Sequence, residues 1–482
     1  MESVYRMLGV SDGNSHLHIR HCHMKYGPII RYGPNVLIFN TVGGLKDIYM
    51  NPKDIMKDDI YQVLHIGAQS ILTATDPKDH TRRAKVIRPA FSNSSIKEFE
   101  PKIQGHMFRL LDAICSASAN QDFSWGEPLL VSDWCSYSTL DIITDLVFGR
   151  SSNLLGRPEL RNIVSDIEGM LKHASFLLHA PWALLGRLDK LLFRDHIRGT
   201  RRYRQLVKSM MREAGPNQVY SHLVDFKVDD SEAFFKRAEI CSEVALLVVA
   251  GTNIVLLSVV STINTEPSGS DTTSAVLCAL LFYLAAYPNA YDRLRSEIRH
   301  AFHSLEDIHS GPVLQNCTYL DACIKETMRI SPGVSGALYR KVGKNGAVID
   351  GHSVPAGTTV ATGIYSLHHD EDHFPHPDIF MPERWLTGSD VASYITPGAY
   401  IPFSLGTRAC LGRNLAIAEL QILTTAIVWR FDFRFPQCGS TMVGAGHPMG
   451  SIDRTSPVEF QLSDYIVSHK KGPVLQFRQR VF

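Results

Sequence analysis

The sequence predicts one mainly helical domain with small β-sheets, spanning residues 1–482. Three observations carry that expectation. Between Thr81 and Ile330, apolar residues recur at the i, i+3, i+4, i+7 spacing of amphipathic helices. Short β-branched runs punctuated by Gly and Pro are confined to 26–60, 342–365 and the C-terminal tail. The chain contains no repeat and no low-complexity tract that would divide it.

Composition narrows the classes further. At 44% hydrophobic and 20% charged residues, the chain belongs with globular proteins. Its 49 Lys and Arg against 48 Asp and Glu give a net charge of +1, which provides no electrostatic footprint for nucleic acid. Nine cysteines are scattered singly, with no CxxC pair, so a disulfide framework is not expected and a reducing compartment is. The opening MESVYRMLGVSDGNSHLHIRHCH shows neither a signal peptide nor an apolar run of about 20 residues, so no N-terminal anchor is expected from it.

The elements follow in order. His16, His18, His21, Cys22 and His23 crowd together, but their spacing matches no closed tetrahedral set, and one helix cannot aim all five at one ion. A solvated helix start is expected there instead. Tyr26–Asn40 reads as two short strands separated by Gly-Pro pairs. FEPKIQGHMFRLLDAI and WCSYSTLDIITDLVFG read as amphipathic helices within a helical region from 81 to 330. Ala347–Ala361 reads as a hairpin, with Asp350-Gly351 and Pro355-Ala356-Gly357 as turns. A helix is expected over 410–430, and FDFRFP and GPVLQFR are expected strands.

The most specific segment is Phe403-Ser404-Leu405-Gly406-Thr407-Arg408-Ala409-Cys410-Leu411-Gly412. Gly406 and Gly412 allow tight turns or the close approach of another group. A cysteine at a helix N-terminus has its thiolate favoured by free backbone N–H groups. Arg408 can pair with a carboxylate. Thiolate and guanidinium together suit a haem, sulfur to iron and arginine to a propionate. A lone cysteine is ordinarily a buried structural residue, but the spacing FxxGxRxCxG resembles the signature loop of the cytochrome P450 family, and that resemblance reverses the reading.

Three further segments are each weak alone. Glu326 and Arg329 stand at i, i+3 on one helix face, ordinarily a surface ion pair of little worth. Pro382-Glu383-Arg384-Trp385 follows, and Gly269-Ser270-Asp271-Thr272-Thr273 alone reads as a helix cap. Together with the cysteine loop, they resemble the cytochrome P450 family over nearly the whole chain, most nearly a fungal, microsomal-type member of secondary or xenobiotic metabolism.

The resemblance implies a haem held by Cys410, with Phe403, Gly406 and Gly412 shaping the loop and Arg408, Arg340 and His80 toward the propionates. It implies a buried Glu326–Arg329–Arg384 cluster that fixes the cysteine loop, and Asp271 and Thr272 as the acid–alcohol pair that delivers protons over the haem. It also implies a monomeric monooxygenase of hydrophobic small molecules, using O2 and an NADPH-cytochrome P450 reductase on the cytosolic face of the endoplasmic reticulum. No P-loop, GxSxG, or GxGxxG with an acidic partner gives the chain a nucleotide site of its own. Apolar stretches at Tyr61–Leu72, Leu154–Leu192 and Gly333–Leu338 are the expected pocket walls.

The chain departs from the family pattern at three places. It begins where a hinge after an N-terminal anchor would end. Ala84 stands where an arginine is expected, with Arg82, Arg83 and Arg88 as replacements or, alternatively, as a solvated basic face. The 18 residues Thr252–Gly269 interrupt what would read AGSDTT, and Pro267 among them breaks a helix. They read as an in-frame retained intron, with a genuine loop as the rival. The uncharged run Val244–Thr265 that they create is long enough to span a membrane, but it begins as a core helix and is interrupted by Thr252, Asn253 and Ser258. Two functional alternatives follow: a haem protein whose insertion prevents turnover, and a hydrolase with Cys410 as nucleophile, for which no motif supplies a histidine.

Overall fold

In the computed structural model of the chain, the helix Thr272–Ala286 is enclosed by protein, and every residue from Thr273 to Leu284 is buried. Its sequence, TTSAVLCALLFYLAA, is apolar all round, which suits a central helix and no other position. The helices Val131–Phe148, Arg237–Thr252, Thr318–Ile330 and Arg413–Arg430 pack against it, and Asn93–Ala117 packs behind them. The structure describes residues 13–51, 53–64, 68–118, 124–180, 189, 193–214, 219–225, 235–252, 272–389, 394–437, 442–447, 450 and 454–480. The chain is mainly helical with small sheets, as the sequence predicts.

Local chemistry sets the helix starts that matter to the site. Asp76 caps Pro77–Ile87, its carboxylate accepting from the N–H groups of Lys78 and Asp79 at 3.2 and 3.1 Å, with Pro77 at the first helical position. Ser92 caps Asn93–Ala117 in the same way. The expected helix over 410–430 starts at Arg413, because Leu411 and Gly412 form the turn that leads into it.

Five short strands make the main sheet, in the spatial order Ile29–Gly33, Val36–Phe39, Thr359–Ala361, Arg340–Val342 and Ile55–Lys57. The stretch 26–60, expected to be β-rich, also contains the helix Val42–Met50, capped by Thr41 Oγ1 through Gly44 N–H at 3.0 Å. The expected hairpin is shorter than its range. Ala347–Ile349 pairs with His352–Val354 around Asp350-Gly351, at φ 49° and 77°. Thr359–Ala361 instead leaves to pair in parallel with Val36–Phe39. The expected tail strands, Phe431–Arg434 and Val474–Gln479, pair with each other, and between them lies a hairpin the sequence reading missed, Leu462–Tyr465 with Val467–Lys470.

The histidine-rich start is a helix, Ser15–Tyr26, but not a solvated one. His16 and His23 are buried in it. Burial, and next the charge of Arg454, push the His16 imidazole down to about 3, so it stays neutral. No group of His, Cys, Asp and Glu among the described residues is placed to hold a metal ion.

Behind the central helix sits a buried ionic cluster. Glu326 and Arg329, three apart on Thr318–Ile330, are both fully buried and paired. Glu326 accepts from Arg329 Nη2 at 2.8 Å and Nε at 3.0 Å, from Arg384 Nε at 3.0 Å, from Met381 N–H at 3.0 Å and from Trp385 Nε1 at 2.9 Å. Arg329 Nη1 donates to the carbonyl of His368 at 2.8 Å. His368 Nδ1 lies 3.1 Å from the carbonyl of Arg329, and its Nε2 accepts the N–H of Ile401 at 3.0 Å. Those two bonds assign the tautomer, and burial together with Arg329 lowers His368 to about 3, which keeps it neutral. The relay reaches Ile401, immediately before the cysteine loop.

Burial alone would raise the Glu326 carboxyl, but Arg329, Arg384 and the Met381 N–H outweigh it and hold it below its usual 4.5. Its contribution to stability is therefore present above the ordinary carboxylate range and lost as pH falls through its lowered folded value. Glu326→Gln leaves two buried guanidinium groups without a counter-charge and is expected to cost about 3–5 kcal/mol. Urea unfolding monitored by tryptophan fluorescence checks this. An unfolding midpoint equal to that of the unmodified chain would show that the cluster does not hold the fold.

Candidate active site

The cysteine loop is built around one obligatory glycine. Gly406 has φ +72°, and a Cβ there would overlap the carbonyl oxygen of Tyr49, in the last turn of Val42–Met50. Cys410 N–H donates back to the Phe403 carbonyl at 3.0 Å, which closes the loop. Gly412 has an ordinary φ of −82°, so its conformation does not demand glycine. A Cβ there would stand 4.0 Å from Cys410 Sγ, and glycine leaves that space beside the sulfur open.

Cys410 opens onto the main cavity, where the space open to the centre of a water molecule is about 320 Å³. Cys410 is exposed to the cavity, yet surrounding protein desolvates its sulfur. Burial raises the thiol's pKa above its usual value, and the Gly412 and Arg413 N–H groups only partly offset this. The N–H groups act in the direction the sequence predicts, favouring the thiolate, but burial outweighs them.

Seven residues singled out in the sequence line this one cavity: Phe403, Arg408, Cys410, Gly412, Arg340, His80 and Thr272. Gly406 does not line it, and neither do Glu326, Arg329 and Arg384, which stand behind the loop. Asp271 lies outside the described residues, as do residues 253–269 of the expected insertion. Thr272 is the first residue of the central helix, packed against Gly333, and Thr273 also reaches the cavity. Of the expected walls, Tyr61, Ile71, Leu72, Leu178, His179 and most of Gly333–Leu338 contribute. Leu154 and Leu155 do not, being part of the core. Leu246, Val276 and Ile466 are apolar walls the sequence reading missed.

One wall of the cavity is cationic. Lys57, His80, Arg340 and Arg408 all line it, and none pairs with a carboxylate among the described residues. Arg408 instead donates to the carbonyls of Ala74 and Thr75, at 2.5 and 3.3 Å, and Arg340 to that of Tyr339 at 2.9 Å. Their proximity shows in their proton affinities. Burial and then Arg340 lower Arg408 to about 10. Burial, then Arg340 and Arg408, lower Lys57 well below the usual lysine value. Burial, with Arg408 and Lys57 next, lowers His80 to about 3. Buried basic groups without anions are costly to charge, and a bound dianion would relieve that cost.

Lys57 escaped the sequence reading. It ends the edge strand Ile55–Lys57, two residues from buried Ile55 and so on the same face, and that alternation was the available signal. The replacements expected for the missing arginine at Ala84 do not reach the cavity. Arg83 is turned away, with Nη1 2.7 Å from Glu243, Nε 2.8 Å from Asp79 and Nη2 2.5 Å from Glu239. Arg82 pairs with Asp79 and Glu239, and Arg88 is exposed. Arg82 and Arg83 are therefore neither at the cavity nor a solvated basic face; they form an ion-paired clamp between Pro77–Ile87 and Arg237–Thr252.

A thiol facing a cavity with an unpaired cationic wall suits a group with a metal at its centre and carboxylates at its edge. Comparison with known proteins agrees. The family model for Cytochrome P450 matches residues 3–443. The chain is 33% identical to cytochrome P450 monooxygenase AKT7 of Alternaria alternata over 99% of this chain and 91% of that one. It is 35% identical to a cytochrome P450 monooxygenase of Gibberella zeae over 91% of this chain and 98% of that one. It is 34% identical to cytochrome P450 monooxygenase poxM of Penicillium oxalicum over 99% of this chain and 88% of that one. The hydrolase alternative has no support here, since the recorded donors to the Cys410 sulfur are backbone N–H groups and not a histidine. The chain belongs to the cytochrome P450 family and is a monooxygenase of that family.

Proposed function

We propose that the cavity holds haem with its iron on the Cys410 thiolate, and that the chain inserts one oxygen atom from O2 into a hydrophobic small molecule of fungal secondary metabolism. The observation that carries this is the cavity shared by Cys410 and four basic side chains that pair with no carboxylate among the described residues. Arg340, Arg408, His80 and Lys57 would hold the propionates, Lys57 taking the place left by Ala84. When bound, the haem supplies the oxygen chemistry, driven by electron density from the thiolate.

The chain's own residues then have defined tasks. The Gly412 and Arg413 N–H groups hold the sulfur. Leu246, Val276, Val334 and Ile466 exclude water and orient an apolar substrate. Thr272 Oγ1, at the start of the central helix, passes protons over the haem, with Asp271 as their source. With no nucleotide motif in the chain, electrons come from a separate donor, and NADPH-cytochrome P450 reductase on the endoplasmic reticulum is the partner proposed. Among the described residues, no single helix is long and apolar enough to cross a membrane.

We further read Thr252–Gly269 as absent from the mature enzyme. The helix Arg237–Thr252 and the helix Thr272–Ala286 both pack on Val131–Phe148, in keeping with two halves of one central helix. Sequencing the mature transcript tests this, and a message that retains the segment overturns it. Its retention would favour the reading of a haem protein without turnover.

The reduced, CO-treated protein is expected to absorb at about 450 nm, the mark of thiolate-ligated haem. Cys410→Ser should abolish that band. Lys57→Met should retain it but lose haem faster to an apoprotein acceptor, and an unchanged loss rate would remove Lys57 from the cofactor site. Thr272→Ala should consume NADPH at a comparable rate with less product and more peroxide. Unchanged coupling would assign proton delivery elsewhere.

A further inference from the structure

The cavity has a second polar feature, distinct from the cationic wall. Asp464 lines it from the strand Leu462–Tyr465, with only 5% of its surface exposed. The position is built. Asp464 N–H donates to the Gly13 carbonyl at 2.8 Å, and Ile466, at φ +75°, offers its N–H to the carboxylate. Gly336 makes room for it, since a Cβ there would lie 3.0 Å from Asp464 Oδ1 and closer to Oδ2. No Lys, Arg or His among the described residues forms an ion pair with Asp464, and none contributes to its proton affinity. Ser15 lines the same cavity, and its buried Oγ has no hydrogen-bond partner among the described residues. The same cavity is also lined by the apolar Ile19, Ala337, Ile364, Ile466 and Val467. The other acid on the cavity, Glu419, belongs to the helix behind Cys410.

We propose that Asp464 and Ser15 form a subsite for a hydrogen-bond donor, an amine or a hydroxyl, carried by an otherwise apolar substrate. A buried carboxyl with one backbone donor and no counter-ion has unused acceptor capacity, and so does an unpartnered hydroxyl. With no cation at this end, the subsite rejects carboxylates and phosphates, whose charge would face Asp464. Burial pushes the Asp464 carboxyl up to about 7, so it can accept from a hydroxyl or ionise against an arriving ammonium. Such a donor would fix which end of the substrate lies deep and which carbon lies over the haem, making Asp464 a specificity-determining residue. The inference rests on the haem reading of the same cavity.

The test uses probes that carry an imidazole at one end, to ligate the iron, and a variable group at the other end of an alkyl chain: methyl, hydroxyl, amine or carboxylate. Several chain lengths are titrated against the full haem-loaded protein. The spectral shift gives Kd, and thermal midpoints give a second readout that does not depend on the iron. The protein is expected to bind the hydroxyl- or amine-ended probe about tenfold more tightly than the methyl-ended one at one chain length, and the carboxylate-ended one most weakly. Asp464→Leu should lose that preference while keeping methyl-ended affinity. Asp464→Asn should keep a hydroxyl preference and lose an amine preference, which distinguishes the two donors. Equal or tighter binding of the methyl- or carboxylate-ended probe, or a preference that survives in Asp464→Leu, overturns the proposal. If Asp464→Leu fails to fold, the ranking in the unmodified protein together with Ser15→Ala and Asp464→Asn decides it. Absence of the band at about 450 nm from the unmodified protein overturns the haem reading itself, a separate outcome.

Discussion

Glu326 is a carboxylate with no access to water, and the architecture behind the active site is arranged to make that tolerable. Five donors from Arg329, Arg384, Met381 and Trp385 converge on its two oxygens. None of those donors is free to move, because each guanidinium also donates to main-chain carbonyls, Arg329 to His368 and Arg384 to Pro375. The geometry is over-determined for an electrostatic reason: a buried charge that loses one partner leaves the others stranded. His368 then carries the constraint to Ile401 and so to the loop that presents Cys410. The distance between that loop and the central helix, on which any cofactor between them depends, is thereby set by a cluster that does not itself line the cavity.

The cavity has the opposite electrostatic character. Its basic wall pairs with no carboxylate among the described residues, and burial, then mutual repulsion, lower the proton affinities of Lys57, His80 and Arg408 together. The sulfur of Cys410 is likewise held in an environment that disfavours its charged form. Both tensions point to the same complement, a metal cation for the sulfur and carboxylates for the wall. A preformed site that sets a desolvated thiol beside basic groups without carboxylates is selective, because a group bringing both a metal cation and carboxylates relieves both at once. Asp464 lines the same cavity, yet none of these basic groups contributes to its proton affinity.

Among the arginines, the sequence reading succeeded where spacing was local and failed where it was not. Glu326 and Arg329 share a helix face by periodicity alone, and Arg408 and Cys410 share one short loop. Arg82 and Arg83 looked equally available to the cavity, yet they turn toward Glu239 and Glu243, which lie more than 150 positions away in sequence. Two carboxylates on a neighbouring helix outbid a cavity with no anion in it. Lys57 shows the converse, an undistinguished residue on an edge strand that pairing with Arg340–Val342 carries to the site. The histidine-rich helix was misjudged for a related reason, since its burial comes from packing against Ile364–His368, a contact no local pattern announces.

Sequence alone determined the mainly helical class, the buried central helix, the cysteine loop and the family, because these rest on periodicity and on fixed spacings within a few residues. Tertiary structure alone decided which cations face the cavity, that His368 ties the ionic cluster to the cysteine loop, and that Asp464 stands unpaired at an apolar wall. Those outcomes depend on which charges are brought close and which are left without water. Burial and pairing are properties of the packed chain as a whole, and no segment carries them by itself.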